Sequence, residues 1–430
     1  MLTAISRYGA RVLSSTEDLV AGCKARGEFI QGPQIAEFEA AFAKRHGLPP
    51  EHAITAAYGR IAFYYILKAL DFPAGSEIIF PSLTFWVVPE LARVAGLTVV
   101  FADVDPKTFN IDPDSIERLI TDKTRAVVPT HLYGLPCDMD RILDIAAKHN
   151  LIVLEDCAHA LGALYKGRPV GTFGAGALFS FQTLKPLNCY GGGLALVTDA
   201  VLARRVRALV SALPWPSEKR VRDRLLMGRV QRIFMKPWVF SISLFPVLWI
   251  SALIDANPDV FFWEKIRGLH PLPDQYTERF PNVQAVIGLE ALEHLDEWTA
   301  QAQAHAARVN EVLADLPGIQ VPFVPPDRTH AYYQYCVYGP DGPARDDLVV
   351  RCVRRGIDVE TLHVDVPPDM DLFGAARAEA EGARRAAQAM QIPVYSGLRQ
   401  DEVERVASTV HAVLAEAIGP TPSAASKTPS

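Results

Sequence analysis

Residues Leu151 to Gly193 read LIVLEDCAHALGALYKGRPVGTFGAGALFSFQTLKPLNCYGGG. Two short apolar runs, Leu151–Leu154 and Ala177–Phe181, have the length and residue types of buried strands. Each passes directly into a polar cluster, Glu155–Asp156 and Gln182–Lys185. In an open α/β sheet, ligands bind at the carboxyl ends of the strands. An acid and a lysine 29 positions apart are therefore set to converge on one small molecule. The bland alternative is a helix-capping Asp156 and a solvated Lys185, which is the ordinary fate of charged residues.

The pair suits pyridoxal phosphate. That cofactor needs an amine for its aldehyde, an anion opposite its pyridine nitrogen, an aromatic face and a phosphate cradle. Lys185 supplies the amine and Asp156 the anion. Upstream, ITAAYGRIAFYYILKAL places Gly59 and Arg60 where a short strand turns into a nearly all-apolar helix. The first amides of a helix lack internal acceptors and carry partial positive charge, so this is a natural seat for phosphate. Next, SEIIFPSLTFWVV reads as a strand ending at Pro81, then a loop and helix. Strands and helices go on alternating through LTVVFADVD, TRAVVPTHLYG and DMDRILDIAAKHN, a rhythm that predicts a mainly parallel sheet covered by helices on both faces. His131, beside an apolar strand, reads as a structural residue.

The runs EDCAHALGALYKGRPVGTFG and FSFQTLK with its following glycines, together with GEFIQGPQIAEFEAAFAKRHGL near the start, resemble the signature of the DegT/DnrJ/EryC1/StrS sugar aminotransferases. The resemblance implies aminotransferase fold type I, with a mainly parallel seven-stranded sheet between helices and a smaller C-terminal α+β domain. It divides the chain into an N-terminal segment (1–50), a large cofactor-binding domain (51–213), an apolar insertion (214–275), a long helix with the small domain (276–418) and a disordered tail (419–430).

Carried over motif by motif, the resemblance makes Lys185 the Schiff-base lysine and Asp156 the pyridine-nitrogen partner. Phe85 becomes the residue lying on the ring, with its neighbour Trp86 pointing elsewhere. His159 falls near the phenolic oxygen, and Gly59, Arg60, Ser180 and Gln182 around the phosphate. Sugar dehydratases of the same fold carry histidine where Lys185 stands, so the sequence sides with transamination. Five positions depart from the family pattern. Arg60 replaces a threonine, Gln182 a histidine or tyrosine, and Thr277 an asparagine that reaches the partner subunit's cofactor phosphate; Tyr190 and Gly191 replace the first two residues of Gly-Glu-Gly-Gly. The expected protein is a homodimer with shared active sites that moves an amino group from glutamate to a keto-sugar, nucleotide-linked or lipid-linked. The rivals are a cofactor-binding regulatory or assembly protein without turnover, and a pyridoxal-phosphate sugar dehydratase.

Composition narrows the classes further. A chain of 430 residues with 49% hydrophobic content can bury a large core, and a net charge of −6 without a dense basic tract argues against nucleic acid as a partner. Six scattered cysteines without CxxC spacing fit a reducing cytoplasm and offer neither a disulfide framework nor a zinc site. The insertion stands apart. Trp238 to Ile254 is 17 consecutive uncharged residues, preceded by Arg229, Arg232 and Lys236 and interrupted by Pro246, with Trp238, Trp249 and Trp263 nearby. That length sits at the lower limit for a bilayer span. Two readings share the ground: a helix pair in the membrane interface through residues 230–262, on the cytoplasmic face, or a hairpin buried on protein.

Overall fold

The computed structural model describes residues 3–9, 11, 13–253, 266–340, 345–361 and 364–418. The expected tail at 419–430, and Trp263 with the rest of 254–265, lie outside the described residues.

Two helices, α1 (Thr16–Ala25) and α2 (Gln34–Arg45), precede the main sheet. On α2, Phe38 and Phe42 are fully buried and Ile35 and Leu48 are partly so, as their spacing predicts. The alternation then runs β1 (Ala53–Ala56), α3 (Gly59–Leu70), β2 (Glu77–Pro81), α4 (Val87–Val94), β3 (Thr98–Ala102), α5 (Pro113–Leu119), β4 (Thr124–Val127), α6 (Met139–His149) and β5 (Ile152–Asp156). A two-residue hairpin, β6 (Leu164–Tyr165) with β7 (Arg168–Pro169), leads into β8 (Gly176–Ser180), β9 (Gly193–Val197) and α7 (Ala200–Ser211). The insertion forms α8 (Glu218–Met235), α9 (Pro237–Ile242) and α10 (Leu244–Leu253). Then come α11 (Asn282–Glu293), α12 (Leu295–Leu313), β10 (Tyr335–Val337), α13 (Arg345–Arg354), β11 (Glu360–Thr361), β12 (Arg377–Ala378), α14 (Glu381–Ala386), β13 (Met390–Ile392) and α15 (Gln400–Ile418).

The large sheet has the order β1-β9-β8-β5-β4-β2-β3-β12. Strand β9 is antiparallel to both neighbours and every other pairing is parallel. Seven of the strands form the sheet expected from the sequence; the two-residue β12 adds an eighth at the edge. In the middle of the sheet, β8 up to Ser180 and β5 up to Glu155 are apolar because helices cover both faces, so no polar alternation is needed. A second sheet, β10-β13-β11, packs against α12, α13 and α15 through Ala306, Val309, Tyr335, Cys352 and Val406, all buried.

The insertion is a broken hairpin. Pro246 has no N–H to donate to the Ile242 carbonyl, and the apolar run splits at Ser243 into six- and ten-residue helices. One side of it is held by protein: Phe240 and Leu248 pack on Ala4 and Val353.

The first residues tie to the second sheet. Ile5 bridges Ile357, with its N–H donating to the Gly356 carbonyl at 2.9 Å and the Asp358 N–H donating to its carbonyl at 2.9 Å. Arg7 is buried beside Asp358 (2.7 Å) and Glu360 (3.3 Å). Burial pushes the Asp358 carboxyl up, and Arg7 opposes that shift. Removing the cation leaves two buried carboxylates without their main counter-charge, so Arg7→Ala is expected to destabilise the protein by about 3–5 kcal/mol. Urea unfolding of the full-length chain measures this, and a loss under about 1 kcal/mol, the worth of an exposed pair, would contradict it.

Candidate functional site

Every residue singled out for the site lies at the carboxyl edge of the parallel strands or in the turns that follow. Asp156 ends β5, Ser180 ends β8, and Gly59 opens α3 three positions after the end of β1. Gly59, Arg60, Phe85, Asp156, His159, Ser180, Gln182 and Lys185 all line one cavity of about 290 Å³. Trp86, by contrast, is buried in the core at 1% exposure, so the aromatic pair divides as expected.

Sterics place the start of α3. A Cβ on Gly59 would stand 2.5 Å from the Phe179 carbonyl oxygen, so only glycine lets the helix begin against the end of β8. The remainder of α3 is apolar because it lies buried between the sheet and its neighbouring helices. Its first two residues, Gly59 and Arg60, line the cavity.

The Lys185 amine lies 4.6 Å from the centroid of the Tyr333 ring. Burial pushes it down to about 7; nearby Asp156 opposes the shift and Arg60 adds to it. Asp156 accepts from the Ala158 N–H at 3.0 Å, and burial raises its carboxyl against the pull of that amide and of Lys185. The Tyr133 N–H donates to His159 Nδ1 at 3.4 Å, and the His159 ring lies 4.3 Å from Tyr333. Arg60 sits in an aromatic cage, its guanidinium 5.1 Å from the Tyr58 ring, 5.6 Å from Phe85 and 5.1 Å from Tyr276. Three buried polar atoms of cavity-lining residues, Thr84 Oγ1, Thr130 Oγ1 and Gln182 Nε2, have no hydrogen-bond partner among the described residues. Atoms of this kind are costly to leave unmatched and mark where a polar ligand is accommodated.

His131 is engaged elsewhere. Its Nδ1 accepts from the Cys137 N–H at 3.0 Å, which places the proton on Nε2, facing Glu155 at 3.0 Å. Burial would raise the Glu155 carboxyl, yet His131 and the amides of Gly171 and Gly174 hold it below its usual range. His131, Glu155 and Cys157 cluster within 4.8 Å, but these bonds already occupy His131 and Glu155.

The departure at Tyr190–Gly191 has a steric cause. Gly191 adopts φ +130°, and a Cβ there would stand 2.8 Å from Cδ of Arg224 on α8. The positive φ strains any side chain at this position, and one would also have to displace the Arg224 side chain. Arg224 itself donates to the Tyr58 hydroxyl at 3.1 Å, and Gln231 of the same helix lines the cavity. Sequence reading missed Gln231, Thr84, Thr130 and Tyr333. Tyr333 lay within a segment legible only as a tyrosine-rich strand, and the inserted helix carries no motif.

Comparison with known proteins identifies the family. The model of the DegT/DnrJ/EryC1/StrS aminotransferase family matches residues 14–222 and 262–411, leaving out most of the inserted helices. A GDP-perosamine synthase from Caulobacter vibrioides is 31% identical over 390 residues, 89% of this chain and 91% of the relative. A dTDP-3-amino-3,4,6-trideoxy-alpha-D-glucose transaminase from Streptomyces venezuelae is 30% identical over 403 residues, covering 92% and 91%. Among solved structures, the aminotransferase from Psychrobacter cryohalolentis superposes with a TM-score of 0.76 at 27% identity, covering 96% of this chain and 99% of that one. With this topology, this cavity and a family match over most of its length, the chain belongs to the DegT/DnrJ/EryC1/StrS aminotransferase family.

Proposed function

We propose that this aminotransferase uses pyridoxal phosphate to move an amino group from glutamate to a keto-sugar carried on a nucleotide or a lipid. The observation that carries the reading is Lys185: a buried amine pushed down to about 7, in one cavity with a buried carboxylate, a phenylalanine face and a helix start. The relatives named above act, by their names, on nucleotide-linked sugars, which supports the acceptor class.

The residues present fit the cofactor. The three unmatched polar atoms supply hydrogen-bonding capacity, and the bare α-carbon of Gly59 lets the helix amides face an anion. When bound, pyridoxal phosphate supplies an aldehyde and an electron-withdrawing ring that stabilises negative charge on the carbon beside the amine. The chain's own residues do the rest. Asp156 holds the proton on the ring nitrogen, and Phe85 orients the ring. The amides of Gly59 and Arg60, with the Ser180 hydroxyl and the Gln182 amide, bind phosphate, while His159 flanks the phenolic oxygen. Lys185 Nζ, whose neutral form predominates above about 7, takes a proton from the donor's α-carbon and returns it on the other side of the transfer. Tyr333 covers that amine and helps to exclude water.

Arg60 strengthens the phosphate seat where Thr277 replaces an asparagine. Arg60→Ala is expected to weaken cofactor affinity about tenfold, the loss of a charge-assisted contact. An effect no larger than that of an exposed control such as Arg222→Ala, measured by cofactor titration, would refute this role.

The working form is a homodimer with shared sites on the cytoplasmic side, with membrane contact through residues 230–262. The division at 50, 213, 275 and 418 belongs to the same reading. The test is the absorbance spectrum of the protein with pyridoxal phosphate before and after glutamate. A band near the visible edge that bleaches with glutamate is the expected result. No band at all would overturn the cofactor assignment, and a band unaffected by glutamate would overturn the donor.

A further inference from the structure

The inserted helices have two unlike sides. On α8, Val221, Leu225 and Gly228 are buried against the protein. Leu226, Val230 and Ile233, at i, i+4 and i+7, share an exposed face, and Met227 and Phe234 widen it. The apolar surface continues past the turn at Lys236 onto α9 and α10, where Trp238 is 62%, Ile242 71% and Trp249 40% exposed. Scattered single apolar side chains are ordinary on a surface; a run continuing over three successive helices is not.

The charge of the same segment is opposite to that of the chain. Residues 218–253 hold seven Lys or Arg against two acids, a net +5 within a total of −6. Several of these cations are paired, as Arg220 is with Glu278 and Lys219 with Asp223. Lys236, exposed at the turn between α8 and α9, borders the apolar face and makes no ion pair among the described residues. An apolar stripe bordered by an unpaired lysine, bearing tryptophans and set in a segment of net positive charge is complementary to the boundary between acyl chains and anionic headgroups. The ten residues of α10 extend about 15 Å, half of a hydrocarbon core, and no helix among the described residues is long and apolar enough to cross a membrane.

The stripe also borders the catalytic cavity. Gln231, which lines that cavity, stands four residues after Met227 and three before Phe234, so all three are neighbours on the helix surface.

We propose that the exposed face of α8–α10 docks on an anionic phospholipid surface and holds the lip of the catalytic cavity beside the bilayer. This rests on the transaminase reading and adds a location to it: the reaction runs at a bilayer surface. Tryptophan anchors and apolar residues enter the headgroup region while Lys236 meets the phosphates.

The test is flotation of the full-length, cofactor-loaded protein with vesicles of phosphatidylcholine alone and of phosphatidylcholine mixed with phosphatidylglycerol. Wild-type protein is expected to float with the mixed vesicles, at least about tenfold more than with the neutral ones, and to be released by salt. The double variant Trp238→Glu/Ile242→Glu is expected to stay behind while keeping its glutamate-dependent spectral change, which reports an intact catalytic site. A second pair on another helix, Leu226→Glu/Ile233→Glu, is expected to do the same. Absence of flotation by wild-type protein overturns the proposal, as does equal flotation by both variants. Sedimentation equilibrium supplies the last arm: if the variants lose self-association and wild-type protein ignores vesicles, the face belongs to a second copy of the chain. Loss of the glutamate response in wild-type protein would instead strike the transaminase reading.

Discussion

Lys185→Ala is expected to lower transamination by at least about 10⁴-fold, the upper end of what one acid–base group contributes, because one amine both captures the aldehyde and carries the proton. The protein should still fold, since the side chain lies against a cavity, beside the Tyr333 ring, and supports no packed core. The band near the visible edge should vanish. Small primary amines added to the variant should restore part of the proton-transfer rate, which a merely unfolded protein would not permit.

The same lysine makes a pH prediction. Burial disfavours the charged amine, so the neutral, reactive form predominates above about 7 instead of above the ordinary lysine value of 10.5. In cofactor-free protein, the rate of pyridoxal phosphate capture should rise with pH through about 7 and level off beyond it. An inflection near 10 would mean that the amine is solvated.

Asp156→Asn is expected to lower the rate of the glutamate half-reaction by about 10²–10³-fold, equivalent to about 3–4 kcal/mol of lost charge complementarity. The amide is nearly the same shape and can still accept from the Ala158 N–H, so folding and cofactor capture should persist. What is lost is the negative charge that keeps a proton on the ring nitrogen. The two variants therefore separate by spectrum: Lys185→Ala shows no band, and Asp156→Asn a band that bleaches slowly. Equal rates for Asp156→Asn and the parent protein would remove Asp156 from its assigned place.

The parts of this site legible in the sequence are those that lie beside strong local signals. Asp156 and Lys185 follow apolar strands, and Gly59 precedes an apolar helix, so position along the chain already fixes position in the sheet. Phe85 separates from Trp86 by the same logic. Tyr333 reaches Lys185 from almost 150 residues away, and no local pattern encodes that meeting. Thr84 and Thr130 gain meaning only because their hydroxyls are left buried without partners. The insertion was legible as foreign and apolar. Its role at the cavity was not, because the residues that matter there, Arg224 and Gln231, sit on a helix outside the shared motifs, and the steric coupling to Gly191 exists only in three dimensions.

The edge of the large sheet carries a consequence of a different kind. Strand β3 reads TVVFA, five residues without charge or proline, and its outer side is covered by the two-residue strand β12 through Arg377 and Ala378. An uncovered strand of this composition offers unpaired amides and carbonyls to any similar strand of another chain. The C-terminal part of the protein thus acts as a guard against aggregation as well as a wall of the site. A chain truncated before Arg377 would expose β3, and such fragments should form insoluble assemblies even where the rest of the sheet is intact.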